Sequence, residues 1–293
     1  MKSGCWQVWV ADGRGRFVSK RATTTFGDLD TRPNNALAFI AKATALHNFN
    51  GEVNRSGALA QAVLSRSPNF VPAHYSLASS HLMAGRARAA LDHLEHAIDL
   101  DPFDNLLRLY RVKILYSIGD YEAVRGVANT CVEACRGMQR FWSLAMTGFA
   151  TPEQLRDDLP KFVEQGRAIG MSAERLALRA ELAEAFVFNR PHALQKITDP
   201  ADMGFPNAAI AARLIGFEEG LRYARVAADR TQADSVIEIL NDGRVTFTPE
   251  QRADPRYHEL FRHPKLVGIT RARRKQGVDA GLPVFPVKPY TGR

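Results

Sequence analysis

Four histidines lie within 23 residues of the sequence, and they are the side chains that most resemble a set of metal ligands. His93 and His96 stand three positions apart, and His74 and His81 stand seven apart, so each pair would share one face of a helix. Imidazole nitrogens bind zinc, nickel and copper ions. The spacing matches neither H-E-x-x-H nor H-x-x-E-H, and no cysteine or carboxylate cluster completes a ligand set. We therefore expect neither a metal nor a cofactor.

Neighbouring carboxylates could act as a general acid and a general base. Glu95 with Asp99, and Asp157 with Asp158, are such neighbours, but we expect them on solvated helix faces. The chain contains no Gly-x-Ser-x-Gly elbow, phosphate loop or kinase signature. The sequence thus predicts a protein that is not an enzyme and has no catalytic residues. An enzyme assembled within 151–250 stays open as an alternative for which no residue can be named.

The chain is basic, with a formal net charge of +8. Such a charge can serve a nucleic-acid partner. The basic residues are scattered, however, and the only dense run is Arg271, Arg273, Arg274 and Lys275. We expect this run to be a solvated helix face or tail and do not expect nucleic acid as the main partner. Nucleic-acid association through this run is the alternative function.

Cysteine usage and hydropathy indicate the compartment. The chain has three cysteines, of which Cys131 and Cys135 lie one helical turn apart, as small apolar packing residues would. No segment approaches the roughly 18 consecutive apolar residues that span a bilayer. The start of the chain lacks the apolar core of a secretory signal. We expect a cytoplasmic protein without a membrane partner.

Glycines and prolines punctuate the chain at a constant interval. Gly51, Gly85 and Gly119 are each separated by 34 residues, and so are Pro68 and Pro102. An interval of this length is typical of helical repeats. Repeats, rather than a single irregular core, are therefore the first organising feature of the chain.

Two segments of helical length, 71–84 and 87–100, flank Gly85. In the second segment the apolar residues recur at helical spacing: Ala90, Leu94, Ala97 and Ile98. A left-handed residue at Gly85 can end one helix and reverse the chain, and Pro102 would interrupt the second helix. A pair of helices cannot bury its apolar faces alone, so each pair must stack on its neighbours.

This pattern resembles the tetratricopeptide repeat (TPR), whose helical hairpins stack into an α-solenoid. The matching residues of the middle unit are Leu77, Ala78, Gly85, Ala90, Leu94, Ala97 and Pro102. The unit before it keeps Gly51, Val63 and Pro68. The unit after it keeps Gly119, Val124, Ala128 and Cys131. The resemblance implies an all-α, TPR-like array over residues 34–150.

Three further parts complete the predicted organisation. Residues 1–33 alternate around a glycine turn, which predicts a short N-terminal β-hairpin and a linker. Helical spacing without the repeat interval predicts divergent helical repeats over 151–270, and the resemblance described below implies a C-terminal capping helix in the same region. The segments concerned are 153–167, 172–188, 207–228 and 232–241. Residues 271–293 are predicted to form a basic, proline-containing tail.

The step Asp254-Pro255-Arg256, followed by Tyr257, resembles a closing segment found after TPR arrays. Such segments occur in bacterial winged-helix transcriptional regulators and in adenylate or guanylate cyclases, where a short helix caps the last hairpin. The resemblance concerns only the non-catalytic repeat region of those proteins. It implies a regulatory arm or scaffold in bacterial signalling or transcription regulation.

The resemblance also implies a groove, since the first helices of successive TPR units line a concave face. By register, the candidate peptide-binding residues are Phe49, Tyr75, Ser79, Met83, Lys113 and Tyr116. One TPR subset grips acidic tails with a lysine and an asparagine, and this chain has Ala41 and Ala45 there. We expect instead an apolar or amphipathic segment of another protein as the ligand. The alternative is that some of these residues pack against a neighbouring helix or the hairpin.

Overall fold

A computed structural model describes most of the amino-terminal half of the chain and parts of the rest. The described residues are 6–11, 17–22, 35–118, 120–129, 151–168, 172–174, 176–177, 180–181, 184, 216–230 and 249–275. Helices predominate among them, so the prediction of a mainly α-helical protein is confirmed.

Two strands precede the helices, β1 (Trp6–Ala11) and β2 (Phe17–Ala22). They pair antiparallel, with Trp6 opposite Ala22 and Ala11 opposite Phe17. Together they make a two-stranded sheet, which is too small to be stable in water by itself.

Four helices follow in two pairs with short turns. They are α1 (Ala36–Asn50), α2 (Val53–Leu64), α3 (Val71–Met83) and α4 (Ala87–Leu100). Gly51 ends the first helix of one pair with φ 66°, and Gly85 lies between the helices of the next with φ 83°. Both values are left-handed, a conformation that glycine adopts without steric cost. The expected reversal at Gly85 is therefore present.

A third pair comprises α5 (Asn105–Ser117) and α6 (Tyr121–Asn129). Each helix from α1 to α6 contacts the next one along the chain, and α1 also contacts α3. Contact between the first helices of neighbouring pairs means that the first two pairs pack side by side. The last part of the predicted array, residues 130–150, lies outside the described residues.

The core follows one stripe of α4. Ala87, Ala90, Leu94 and Ala97 recur at intervals of three and four residues and are fully buried. They pack with residues of the flanking helices: Ala78 and Leu82 of α3 and Leu107, Tyr110 and Ile114 of α5. The alanines let these helices approach closely, so α4 joins the second and third pairs.

The remaining helices lack the repeat interval. They are α7 (Pro152–Ala168), α8 (Phe217–Arg230), α9 (Pro249–Ala253), α10 (Pro255–Leu260) and α11 (Pro264–Arg274). The helix predicted over 153–167 corresponds to α7, and the one over 207–228 overlaps α8. Only scattered positions of 172–188 are described, and the segment 232–241 lies outside the described residues.

The carboxyl-terminal helices contact two different parts of the protein. The short helix α10 does contact α8, but α11 contacts α1 and α2 of the first pair. The basic run predicted to begin a tail at Arg271 forms the last turn of α11 instead. The boundary of the tail is thus corrected, because residues 271–274 continue a helix that is buried on one face.

The left-handed turn at Gly85 leads to a first prediction. Gly85→Ala should lower the free energy of unfolding by about 1–2 kcal/mol, because a Cβ atom makes this conformation unfavourable. Gly126 offers a matched control, since it lies in α6 and a Cβ atom added there would meet nothing within 4 Å. Gly126→Ala should raise stability by up to about 1 kcal/mol. Urea unfolding followed by circular dichroism measures both, and equal effects of the two changes would contradict the prediction.

Candidate functional site

One surface of the paired helices brings together residues from the first helices of the second and third pairs. The rings of Tyr75 in α3 and Tyr110 in α5 meet edge to face, with centroids 4.9 Å apart and planes inclined by 61°. The ammonium nitrogen of Lys113 lies 5.5 Å from the centroid of the Tyr110 ring, within range of a cation–π contact. Tyr110 is buried, whereas Tyr75 and Lys113 are half-buried. We call these three residues the aromatic–lysine patch.

The six groove residues predicted from the sequence differ in the exposure of their side chains. Tyr75 and Lys113 belong to the patch. Ser79 and Met83 are only 3% and 2% exposed, so neither side chain is open to a ligand in this conformation. Phe49 and Tyr116 lie in α1 and α5, but their side chains are outside the described residues. Only part of the expected groove is therefore accessible.

The buried hydroxyl of Ser79 takes part in a chain of hydrogen bonds that we call the buried polar chain. The hydroxyl of Tyr110 donates to Oγ of Ser79 at 2.8 Å, and Oγ of Ser79 lies 3.5 Å from Nε2 of His47. Nδ1 of His47 lies 3.0 Å from Oγ of Ser56, which is 3.0 Å from Oγ of Ser80. The buried polar chain thus connects α5, α3, α1 and α2.

The direction of the first bond fixes the role of Ser79. Because Tyr110 donates to Ser79, the hydroxyl proton of Ser79 can point to Nε2 of His47. In that tautomer Nδ1 of His47 carries the ring proton and can donate to Ser56, and the ring also makes a hydrogen bond to the backbone of Ala43. A neutral imidazole satisfies both neighbours in this arrangement. Burial agrees with this state, since desolvation lowers the pKa of His47 to about 4.

The phenol of Tyr110 gives a second prediction. Tyr110→Phe keeps the ring against Tyr75 but removes the hydroxyl that donates to Ser79, and we expect a loss of about 1–2 kcal/mol in unfolding free energy. The double change Tyr110→Phe with Ser79→Ala removes both partners and tests the coupling. Its loss should be smaller than the sum of the two single losses. Additive losses in urea titrations would show that the two groups do not interact.

The four histidines named from the sequence do come together between α3 and α4. Nε2 of His74 donates to the carbonyl of Pro68 at 2.7 Å, and Nδ1 of His74 lies 3.3 Å from Nδ1 of His93. The His74 ring meets the His96 ring at 4.5 Å between centroids, and the His81 ring stacks on that of His93 at 5.4 Å. Within the described part of the chain, no group of three or more ligating side chains is arranged to hold a metal ion.

Burial sets the charge of this cluster. Desolvation lowers the pKa values of His74 and His93. It also lowers the pKa of His81 to about 4, with further contributions from the charge of Arg86 and from His93. Neutral rings can stack and share hydrogen bonds without repulsion. Burial therefore favours the uncharged forms of His74, His81 and His93, which pack α3 against α4.

The carboxylates named from the sequence serve different purposes. Glu95 accepts from Nε of Arg111 at 2.6 Å, an ion pair that joins α4 to α5. Asp158 is 4% exposed, so the expectation of a solvated Asp157–Asp158 pair is wrong for Asp158. The different faces of α7 explain this, since successive helical residues point about 100° apart.

The structure also changes the interpretation of the basic run, because its four residues are not equally exposed. Arg271, Arg274 and Lys275 are exposed, but Arg273 is 1% exposed, and its Nε donates to the carbonyl of Met83 at 2.9 Å. Burial lowers the pKa of Arg273 to about 10. One of the four cations is thus used inside the fold, which weakens this run as a phosphate-binding surface.

Sequence reasoning missed Tyr110, the centre of both the aromatic–lysine patch and the buried polar chain. The 34-residue interval pairs it with Ser76, a small residue, so register alone gave it no place in the groove. Its large side chain at a position occupied by serine in the preceding unit was the available signal.

Two further observations do not depend on the geometry of the patch. Across the described helices, none combines the length and apolar character that crossing a bilayer requires. No protein-family model, no curated protein and no solved structure matches this chain.

Proposed function

We propose that this protein is a TPR-like helical-repeat scaffold that binds an apolar or amphipathic segment of another protein. The observation that carries the proposal is the aromatic–lysine patch on the first helices of consecutive pairs. A half-buried tyrosine and lysine over a buried aromatic floor suit an apolar segment with a polar or acidic residue at its edge. In the same proposal, the paired helices α1–α6 form the repeat array, and β1 and β2 form an amino-terminal hairpin.

The fixed position of Tyr110 beneath Tyr75 and Lys113 favours a binding function of the patch over a purely structural role. Tyr110 is fixed by its hydrogen bond to Ser79 and by the ring of Tyr75. A ligand that covers Tyr75 and Lys113 would therefore order few additional side chains, which reduces the entropic cost of association. A regulatory arm in cytoplasmic bacterial signalling or transcription, as the resemblance implies, is the setting that we propose.

The nucleic-acid alternative has less support. It relied on four adjacent basic residues, and Arg273 is buried against the carbonyl of Met83. The exposed members Arg271, Arg274 and Lys275 leave a smaller cationic surface. Binding that weakens steeply as salt is raised would favour this alternative over the groove.

The groove is tested by selecting helical peptides from a random library against the full chain and measuring their affinities. Tyr75→Ala and Lys113→Ala should each weaken the selected peptides at least about tenfold, a free-energy change of about 1.4 kcal/mol. Phe103→Ala is the matched control, because Phe103 is 87% exposed and lies in the turn before α5. It should leave affinity unchanged. Equal affinity for the native chain and both patch variants would exclude the patch as the binding site.

A further inference from the structure

The helix α11 packs on the first pair of helices with one apolar face. Its buried residues lie one helical turn apart or next to each other: Leu266, Ile269, Thr270, Ala272 and Arg273. Val267, Arg271 and Arg274 on other faces are exposed. The helix is thus amphipathic, with a single face directed at α1 and α2.

The closest approach occurs between two backbones. A Cβ atom placed on Gly268 would lie 2.4 Å from the carbonyl oxygen of Gly51 and 3.0 Å from its carbonyl carbon. Gly51 is the left-handed residue that ends α1, so its carbonyl is held by the turn and cannot easily move away. Only glycine fits at position 268 while α11 keeps this distance.

Arg273 makes the second specific contact, at the carboxyl-terminal end of α3. In the turn after α3, the carbonyls of Ser80, His81 and Leu82 accept from backbone amides. The next carbonyl, that of Met83, accepts from Nε of Arg273. The carboxyl-terminal end of a helix presents unsatisfied carbonyls and a partial negative charge, and both favour a guanidinium there.

We propose that the turns of the first two helix pairs form a docking site for a helix. The site recognises a glycine in that helix and an arginine five residues after it. In this proposal α11 occupies the site as an internal ligand, and a helix of the same pattern from another protein binds by displacing it. The site uses Gly51 and Met83 at the turns and does not depend on the aromatic–lysine patch. The glycine allows the bound helix to approach the Gly51 carbonyl closely, and the arginine donates a hydrogen bond to the Met83 carbonyl. These two contacts determine which helix can bind.

The full chain and a labelled synthetic peptide of residues 262–275 test this proposal. Gly268→Leu in the chain should release α11, because the added side chain meets the Gly51 carbonyl. The native peptide should then bind this variant at least tenfold more tightly than it binds the native chain. Val267→Leu, which changes an exposed neighbour, should behave like the native chain. Equal binding to the Gly268→Leu and Val267→Leu chains would overturn the proposal.

Peptide variants and hydrogen exchange complete the test and do not require the Gly268→Leu chain to fold. Tethering gives α11 an effective concentration of the order of millimolar, so the native chain needs peptide at a similar concentration. The native peptide should accelerate amide exchange in 264–274, whereas peptides carrying Gly268→Leu or Arg273→Gln should not. Unchanged exchange with the native peptide, or the same acceleration with all three, would exclude a docking site that reads these residues.

Discussion

Replacing Leu94 by alanine should lower the free energy of unfolding by about 3 kcal/mol, within the range of about 2–5 kcal/mol for buried leucines. Leu94 is fully buried in α4 and packs among residues of α3 and α5. Its helical neighbours Ala90 and Ala97 are already small, so they cannot fill the space that the truncation leaves. A cavity would therefore remain where the second and third pairs meet.

Leu37→Ala provides the matched control for this prediction. Leu37 is 56% exposed on α1, so the same truncation there should cost less than about 0.5 kcal/mol. Urea unfolding measured by far-ultraviolet circular dichroism gives both free energies. Similar losses for the two variants would show that α4 is not the core helix of the array.

The second large effect is a loss of stability in mild acid caused by His47. The pKa of His47 is lowered from 6.5 to about 4 in the folded protein, mainly by desolvation. Between these values the unfolded chain binds a proton that the folded chain excludes, so unfolding becomes easier as the pH falls from about 6.5 to about 4. The change amounts to about 3 kcal/mol, at about 1.4 kcal/mol for each pH unit between the two values. His81, with a similarly lowered pKa, acts in the same direction.

His47→Gln isolates the contribution of this residue. Glutamine can accept from Ser79 and donate to Ser56 without titrating, so the variant should lose less stability between pH 7 and pH 4 than the native chain. His258→Gln, at an exposed position of α10, should keep the native dependence. Urea titrations across this interval measure the difference. A His47→Gln curve parallel to the native curve would place the acid sensitivity elsewhere.

The parts of the fold that sequence reasoning predicted are those set by local chemistry. The helices expected over 71–84 and 87–100 are α3 (Val71–Met83) and α4 (Ala87–Leu100). A left-handed glycine and a stripe of alanines act within a few residues, so their effects can be recognised without knowledge of distant contacts. The register implied by the TPR resemblance, in turn, assigned Tyr75 and Lys113 to the groove, and the structure leaves both half-buried.

The parts that it did not predict depend on distant contacts or on small rotations of a helix. Ser79 was assigned to the groove, yet it lies where that face borders the packed one, and Tyr110 and His47 cover it. Arg273 was expected in solvent because charged residues usually are. Its partner, the Met83 carbonyl, is 190 positions earlier, and no local pattern links the two.

The contact between Arg273 and Met83 also bears on how the protein is made. Ribosomes add about 5–20 residues per second, so the 190 residues between these partners take about 10–40 s to synthesise. During that time the first two helix pairs have left the ribosome without α11. The carbonyl of Met83 and the turn at Gly51 must remain hydrated or be covered by another molecule until α11 arrives. The surface that α11 covers on the amino-terminal pairs is therefore synthesised well before its cover, and it is accessible to other molecules in that interval.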